Sequence, residues 1–365
     1  MTTSRARETG VRIGRLPAGP LNAISDVAGV RVGHATVIRE PDGSPNAVRT
    51  GVTAILPHEA DPWRDRVYAG AHVLNGYGEM IGINQLREWG VLMSPILLTS
   101  SLAIGRVYDA TVRWISRRDA EAAEEVMPVV SECDDSFLND LLSFPLSDTD
   151  VATALDSAAG GPVPEGNVGA GVGMQCFDFK GGIGTSSRVT PAGYTVGVLV
   201  LTNFGDRADL RIDGVAVGEA VTDLMPVTHS EGSCVVVLAT DAPLLPHQLR
   251  RLAVRGGMGL ARTGSYASNG SGEQMIAFAT ANRLPVRAER GELPIRAVLD
   301  GSWDPETPLH DLFAAAVEST EEAVVNALFA AETMVGRDGN TLFALPVKRV
   351  LELLDAAGRL GPSRD

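Results

Sequence analysis

Residues 229–248, HSEGSCVVVLATDAPLLPHQ, contain the segment that decides the fold. The apolar run Cys-Val-Val-Val-Leu-Ala-Thr has the length and the β-branched content of a strand that is buried on both faces. It begins directly at Gly232-Ser233, a small, polar pair that is more typical of an exposed turn. The location of Ser233 at the start of such a strand therefore requires an explanation.

Composition excludes several functional classes. The chain has 365 residues, 44% of them hydrophobic and 21% charged, which is typical of a soluble globular protein. Its net charge of −14 disfavours nucleic-acid binding, so we expect no nucleic-acid partner. No signal peptide and no run of about 18 apolar residues is visible, which predicts no membrane association and a cytoplasmic location. Three widely spaced cysteines and six scattered histidines predict no disulfide framework, metal or other cofactor.

Strand and helix patterns occur along the chain without a regular βαβ rhythm. Residues 22–38 suggest a hairpin, and residues 95–118 suggest a strand followed by a helix. Residues 241–263 predict a helix that ends near Gly256-Gly257, and residues 308–332 predict a long alanine-rich helix. This mixture favours stacked sheets that are covered by helices.

Ser233 is a candidate nucleophile. A serine hydroxyl reacts poorly unless a nearby base accepts its proton, and no G-x-S-x-G elbow surrounds this residue. A cut between Gly232 and Ser233 would create an α-amine with an ordinary pKa of roughly 7.7–8.0, which suits a base at neutral pH. The alternative is that the Gly-Ser pair simply ends a loop.

Two further motifs carry polar groups at strand ends. Ser271 and Glu273 follow a turn-forming Asn269-Gly270 pair, and alternate residues of a strand share a face. Such a pair can relay protons. Asn203 ends the apolar run VGVLVLTN and supplies an amide donor that could stabilise an oxyanion. Taken alone, the first motif also fits a solvated hairpin end and the second an ordinary turn.

In combination, these motifs resemble the DmpA-type family of self-processing serine aminopeptidases, which includes L-aminopeptidase/D-esterases and β-peptidyl aminopeptidases. The resemblance covers most of the chain, and it rests on the order and spacing of NAISDVAGVRVGH, NGYGEMIG, ECDDSFLND, FKGGIGTSSR, TNFG, GSCVVVLATDAPLLPHQLRRLA and NGSGE. It implies an α+β fold, a four-layered αββα sandwich like that of ornithine acetyltransferases. The whole chain, 1–365, would form a single catalytic domain.

The resemblance also implies self-cleavage between Gly232 and Ser233, which would give an α chain of 1–232 and a β chain of 233–365. Ser233 would be the nucleophile of both self-cleavage and hydrolysis. Ser271 and Glu273 match the supporting pair of the family, which relays protons.

The remaining positions of the family's motifs define the expected substrate. Asn203 matches the oxyanion-binding asparagine, and Glu132 matches the residue that receives the free ammonium group of the substrate. Family members remove the N-terminal residue from small peptides, amides or esters that carry a free amine. They form homo-oligomers of αβ units and need no metal.

Asp134 departs from the family pattern. A tyrosine that helps to hold the oxyanion would fall at this position, and an ionised carboxylate cannot donate that hydrogen bond. Either Asp134 faces the substrate amine, or another donor, such as a backbone amide in the glycine-rich loop 181–185, replaces the tyrosine. Two other functions stay open: acyl transfer to an amine, which similar enzymes perform with threonine, and an uncut oligomeric binding protein.

Overall fold

The computed structural model describes residues 5–40, 46–227, 232–287, 291–300 and 307–361. Residues 229–231, which open the stretch quoted above, lie outside these ranges. The described residues form eight α-helices: α1 Ile83–Glu88, α2 Ile104–Ser116, α3 Ala120–Glu125, α4 Asp148–Asp156, α5 Val217–Ala220, α6 Pro246–Arg262, α7 Pro308–Ala330 and α8 Val347–Ala356. They also form fifteen strands: β1 Arg31–Arg39, β2 Val48–Leu56, β3 Asp65–Gly76, β4 Met80–Ile81, β5 Val91–Leu92, β6 Ile96–Ser100, β7 Val129–Cys133, β8 Gln175–Cys176, β9 Phe179–Lys180, β10 Gly182–Val189, β11 Thr195–Asn203, β12 Ser233–Thr240, β13 Gly272–Pro285, β14 Met334–Val335 and β15 Thr341–Leu342.

Two sheets form the centre of the molecule. One has the strand order β1-β2-β6-β7-β4, and the other has the order β10-β11-β12-β13-β3-β5. Each sheet contains one parallel pair, β6–β7 in the first and β12–β13 in the second, and each pair is connected through helices. Apolar side chains from both sheets fill the space between them, among them Ile55, Leu98, Leu199, Val235 and Phe278.

Helices cover the outer face of each sheet. Helices α6 and α7 pack on the six-stranded sheet, and helices α2 and α4 pack on the five-stranded sheet. Helix, sheet, sheet and helix therefore lie in four layers, and the predicted αββα sandwich is confirmed. Strand β12 is buried along its whole length, as its apolar sequence predicts.

Two local predictions are wrong. Residues 22–38 do not form a hairpin, because β1 pairs with the later strand β2. Helix α6 does not end near Gly256-Gly257 but continues to Arg262. Here glycine serves close packing: a Cβ atom on Gly256 would lie 3.2 Å from Met275 in β13, and one on Gly259 would lie 2.5 Å from Thr320 in α7.

A buried ionic network connects residues on both sides of the Gly232–Ser233 junction. The guanidinium of Arg188, in β10, is fully buried and donates hydrogen bonds to Glu318 at 3.3 Å and to Glu322 at 2.5 Å, both in α7. Arg7 also donates to Glu322, at 2.7 Å. The charges of Glu318 and Glu322 in α7 are therefore compensated by arginines that precede the junction.

Substitution of Arg188 by Met should destabilise the protein by about 3–5 kcal/mol, because buried carboxylates lose their partner. Urea unfolding monitored by circular dichroism would measure the change. Arg349→Met, which removes an exposed ion pair with Asp223, is the matched control and should have little effect. Equal unfolding midpoints for the two variants would contradict the stabilising role of the network.

Candidate active site

The Gly232–Ser233 junction lies at the end of the six-stranded sheet. Ser233 is the first residue of β12, opposite Asn203 in the antiparallel neighbour and opposite Gly272 in the parallel neighbour. It is only 4% exposed, so Ser233 does not lie in an exposed turn, whereas Gly232 is half-buried. A Cβ atom on Gly232 would lie 1.8 Å from the carbonyl oxygen of Asn203, which explains why glycine precedes the serine.

The peptide bond at the junction has a polarised carbonyl and an adjacent free hydroxyl. The backbone N–H of Gly272 donates a hydrogen bond to the carbonyl oxygen of Gly232 at 3.2 Å. The Ser233 hydroxyl is buried and has no hydrogen-bond partner among the described residues. A buried polar group without a partner is costly, and such groups often have a functional reason.

Ser271 and Glu273 flank Gly272, the register partner of Ser233. The Ser271 hydroxyl donates a hydrogen bond to Oε1 of Glu273, as the shared-face prediction requires. Oε2 of Glu273 is buried and has no partner within the described ranges. Burial raises the pKa of Glu273, because the charged form loses its hydration. The pair is therefore a proton acceptor at the entrance of β12 and β13.

Asn203 is held at both ends of its side-chain amide. Its Oδ1 accepts a hydrogen bond from the N–H of Gln175 at 3.0 Å, and its Nδ2 donates to the carbonyl of Asp134 at 2.8 Å. An amide nitrogen carries two donor hydrogens, so one is left for a further acceptor. The orientation of Asn203 is thus set by backbone groups on either side.

The loop that orients Asn203 is organised by a buried lysine that the sequence analysis did not single out. The ammonium of Lys180 donates to the carbonyls of Gly171, Met174 and Gly181 at 2.8–2.9 Å. Burial lowers the pKa of this group to about 7. The pattern of glycines around a single lysine is the only sequence signal for this contact.

Glu132 reaches the site from the other sheet. It lies near the end of β7, in the five-stranded sheet. Its Oε1 accepts a hydrogen bond from the N–H of Glu79 at 2.8 Å, and its Oε2 accepts one from the Ser101 hydroxyl. Burial raises the pKa of Glu132, and these two donors offset part of the rise because they favour the charged form.

The carboxylate of Asp134 folds back onto its own loop. It accepts hydrogen bonds from the N–H of Ser136 at 2.8 Å and from the Ser136 hydroxyl at 2.9 Å. Four of the five backbone N–H groups of the glycine-rich loop 181–185 already donate within the protein, so these four do not replace the tyrosine. Gly181, Gly182, Ile183 and Thr185 donate to Met174, Thr202, Gly166 and Glu165, respectively.

One cavity of about 720 Å³ is lined both by Ser233 and by residues around Glu132, which we call the two halves of the site. Its walls include Ser233 from the six-stranded sheet and Glu132 from the five-stranded sheet, together with Asp134, Ser101 and Tyr77 from segments that adjoin the strands. Sequence analysis missed Ser101 and Tyr77. Tyr77 stands within the quoted motif NGYGEMIG, but nothing in the sequence connects Ser101 to Glu132.

In the described ranges, no group of three or more His, Cys, Asp and Glu side chains is arranged to hold a metal ion. None of the helices there has the length and apolar content needed to cross a membrane. All three cysteines are buried and unpaired, and burial raises the pKa of Cys234, which follows Ser233 directly.

A family model described as Peptidase family S58 matches residues 22–342. The chain belongs to this family. It is 42% identical over 374 residues to the beta-peptidyl aminopeptidase BapA of Sphingosinicella xenopeptidilytica, covering 96% of this chain and 91% of the relative. This match confirms the resemblance to the serine aminopeptidases.

Two solved structures share the fold at similar identity. The L-aminopeptidase D-Ala-esterase/amidase from Ochrobactrum anthropi, described as a prototype for the serine aminopeptidases and a variant of the Ntn hydrolase fold, is 43% identical with a TM-score of 0.91. That match covers 98% of this chain and 99% of the other. A Burkholderia sp. beta-aminopeptidase is 42% identical with a TM-score of 0.90, covering 98% and 100%. The chain is therefore a family S58 hydrolase with this fold.

Substitution of Ser101 by Ala should raise the pKa of Glu132 further, because the carboxylate loses a donor that favours its charged form. Titration of the ¹³C-labelled glutamate side chains by NMR would measure the shift, with Glu132→Gln used to assign the signal. Ser143→Ala, whose hydroxyl bonds to the carbonyl of Asp140, is the control. An unchanged titration of Glu132 in Ser101→Ala would contradict the hydrogen bond.

Proposed function

We propose that the chain is an aminopeptidase that first cleaves itself between Gly232 and Ser233. With Ser233 as the nucleophile, it then removes the N-terminal residue from small peptides, amides or esters that carry a free amine. The observation that supports this most is the shared cavity, whose walls include both Ser233 and the Glu132 carboxylate. Membership of Peptidase family S58 supports the aminopeptidase class.

Self-cleavage begins with attack of Ser233 Oγ on the carbonyl carbon of Gly232. The C–N bond of the junction breaks, the nitrogen of Ser233 takes up a proton, and an ester joins Gly232 to the serine oxygen. Water then hydrolyses the ester, which releases the carboxylate of Gly232 and restores the hydroxyl. The N–H of Gly272, which already contacts the Gly232 carbonyl, stabilises the negative charge that develops there.

After the cut, the α-amine of Ser233 becomes the base. Its ordinary pKa, roughly 7.7–8.0, suits proton transfer near neutral pH. Ser233 Oγ attacks the first carbonyl of the substrate, and the second Nδ2 hydrogen of Asn203 stabilises the oxyanion. The leaving amine takes a proton, and water releases the acyl group from Ser233. The Ser271–Glu273 pair relays protons at this step.

Glu132 restricts cleavage to the first residue, because its carboxylate pairs with the free ammonium of the substrate. Asp134, the second residue expected to bind the substrate, lines the same cavity, and its carboxylate also accepts two hydrogen bonds from Ser136. The αβ division at 232/233, the homo-oligomer of αβ units and the cytoplasmic location stay predictions from the sequence. Family membership does not favour acyl transfer to an amine or a binding protein without catalysis.

Denaturing electrophoresis with intact-mass analysis tests the self-cleavage. The wild type should give two fragments that join at Gly232/Ser233, whereas Ser233→Ala should stay one chain and hydrolyse no amide substrate. Ser116→Ala, an exposed serine in α2, is the control and should be cut and active like the wild type. A Ser233→Ala protein that still separates into these two fragments would overturn the proposal.

Substitution of Glu132 by Gln should raise KM for an amino-acid p-nitroanilide about tenfold to a hundredfold, because a charged partner of the ammonium is worth about 1.5–3 kcal/mol. Steady-state kinetics would measure the change, and kcat should change much less. Glu124→Gln, at an exposed position of α3, is the control. Equal hydrolysis of the N-acetylated substrate by the wild type would show that no ammonium is recognised.

The two buried glutamates should make kcat/KM decrease with falling pH at pH values above the ordinary pKa of a glutamate. Burial raises the pKa of both Glu132 and Glu273, so each carboxylate becomes neutral, and loses its role, as the pH falls through its raised pKa. Protonation of the Ser233 α-amine gives a first acid limb in the pH profile of kcat/KM, near its ordinary pKa of roughly 7.7–8.0. Below that limb the profile should steepen as the two glutamates become neutral, and Glu273→Gln should remove the part of this steepening that Glu273 contributes. A profile that steepens only at or below the ordinary glutamate pKa of roughly 4.3 would contradict the assignment.

A further inference from the structure

A second cavity, of about 410 Å³, lies beside the candidate active site. We define it as the side cavity. It shares two wall residues, Leu102 and Leu141, with the cavity that contains Ser233 and Glu132. The two spaces therefore adjoin at these leucines, and a molecule in the first can extend into the second.

The side cavity offers apolar surface. Half of its twelve wall residues have apolar side chains: Leu102, Ala103, Leu141, Phe144, Pro145 and Leu146. Leu102 and Phe144 are strongly exposed, at 50% and 69%, although apolar side chains of this size usually lie inside. An apolar group placed between them would remove this surface from water, which is favourable.

Two polar residues of the same wall, Ser100 and Asn139, already have partners within the protein. The Ser100 hydroxyl donates to Asp135 at 2.7 Å, and the Asn139 side chain donates to Asp135 at 3.0 Å and accepts from the N–H of Arg49 at 3.0 Å. These groups do not need a polar ligand, which favours an apolar occupant.

The charged residues at the rim are also paired outside the cavity. Arg106 contacts Asp148 at 3.4 Å, and Asp109 accepts a hydrogen bond from Arg113 at 3.0 Å. An occupant therefore meets no unpaired charge that would demand a charged partner.

The position of the side cavity identifies which part of a substrate reaches it. Ser101 binds the Glu132 carboxylate, which is the candidate ammonium site, and the next residue, Leu102, already lines the side cavity. In an α-amino acid, the ammonium and the side chain are attached to the same carbon atom. An ammonium held at Glu132 thus brings the side chain of the same residue to the entrance between Leu102 and Leu141.

We propose that the side cavity binds the side chain of the N-terminal residue and selects large apolar side chains such as leucine. This inference rests on the proposed function. It makes Leu102, Leu141 and Phe144 specificity-determining residues, and it predicts that leucine substrates are cleaved with a higher kcat/KM than alanine substrates. Additional methylene groups in an apolar pocket typically contribute roughly tenfold or more in kcat/KM.

Gly105 allows the side cavity to be filled without disturbing its walls. It lines the cavity in the first turn of α2, and a Cβ atom there would meet no described atom within 4 Å. Replacement of a helical glycine also favours the helix, so the variants should fold. Gly105→Leu places a side chain in the cavity, and Gly105→Ala places a smaller one.

The measurement is the ratio of kcat/KM for leucine p-nitroanilide to that for alanine p-nitroanilide, with the β-homoleucine and β-homoalanine pair assayed in parallel. Gly105→Leu should lower the ratio at least tenfold, and Gly105→Ala should lower it less. Ser116→Leu, which adds the same side chain at an exposed position outside the cavity, should keep the wild-type ratio.

The outcomes separate this inference from the function on which it rests. A wild-type protein that cleaves none of the four substrates would contradict the proposed function. Hydrolysis with the same ratio in the wild type and Gly105→Leu would overturn the inference alone. Light scattering provides a second readout: a change in oligomer mass in Gly105→Leu without a change in the ratio would show that the cavity is a contact between copies, which also overturns it.

Discussion

The site depends on the central position of strand β12 in the six-stranded sheet. This strand is hydrogen-bonded on both edges, to β11 and β13, and its two faces pack against separate cores. The chain therefore cannot shift its register without moving apolar side chains out of both cores. Because the register is held, Ser233 is fixed between Asn203 and Gly272, and the carbonyl of Gly232 is fixed on the N–H of Gly272. The geometry of the junction follows from the packing of the strand behind it.

The second half of the site comes from the facing sheet. Its parallel pair, β6 and β7, ends where β12 and β13 begin, so Ser101 and Glu132 meet Ser233 across one cavity. Both halves contain buried carboxylates with raised pKa values, Glu132 and Glu273, each held by a serine hydroxyl. The stacking of two sheets thus brings the Ser233 hydroxyl and the Glu132 carboxylate to the walls of one cavity.

Residues outside the reacting groups control their orientation. Asn203 is held between the N–H of Gln175 and the carbonyl of Asp134, and Lys180 organises the loop that carries Gln175. Asp134 enters this arrangement through its backbone, while its side chain binds Ser136. The support that residue 134 gives to Asn203 therefore comes from a backbone carbonyl and does not depend on the side chain at this position.

The sequence alone determined the buried strand at 233–240, the alanine-rich helix α7, the αββα class and the pairing of Ser271 with Glu273, because each follows from local periodicity or from recurring motifs. It did not determine that Ser233 is buried, that α6 continues through Gly256-Gly257, or that Ser101 binds Glu132. Nor did it determine that the backbone amides near residue 181 are already occupied. These features depend on contacts between segments that are distant in the chain. Only the packing of two sheets and their helices brings those segments together, so tertiary structure decided the cavity, the burial of its carboxylates and the apolar space beside it.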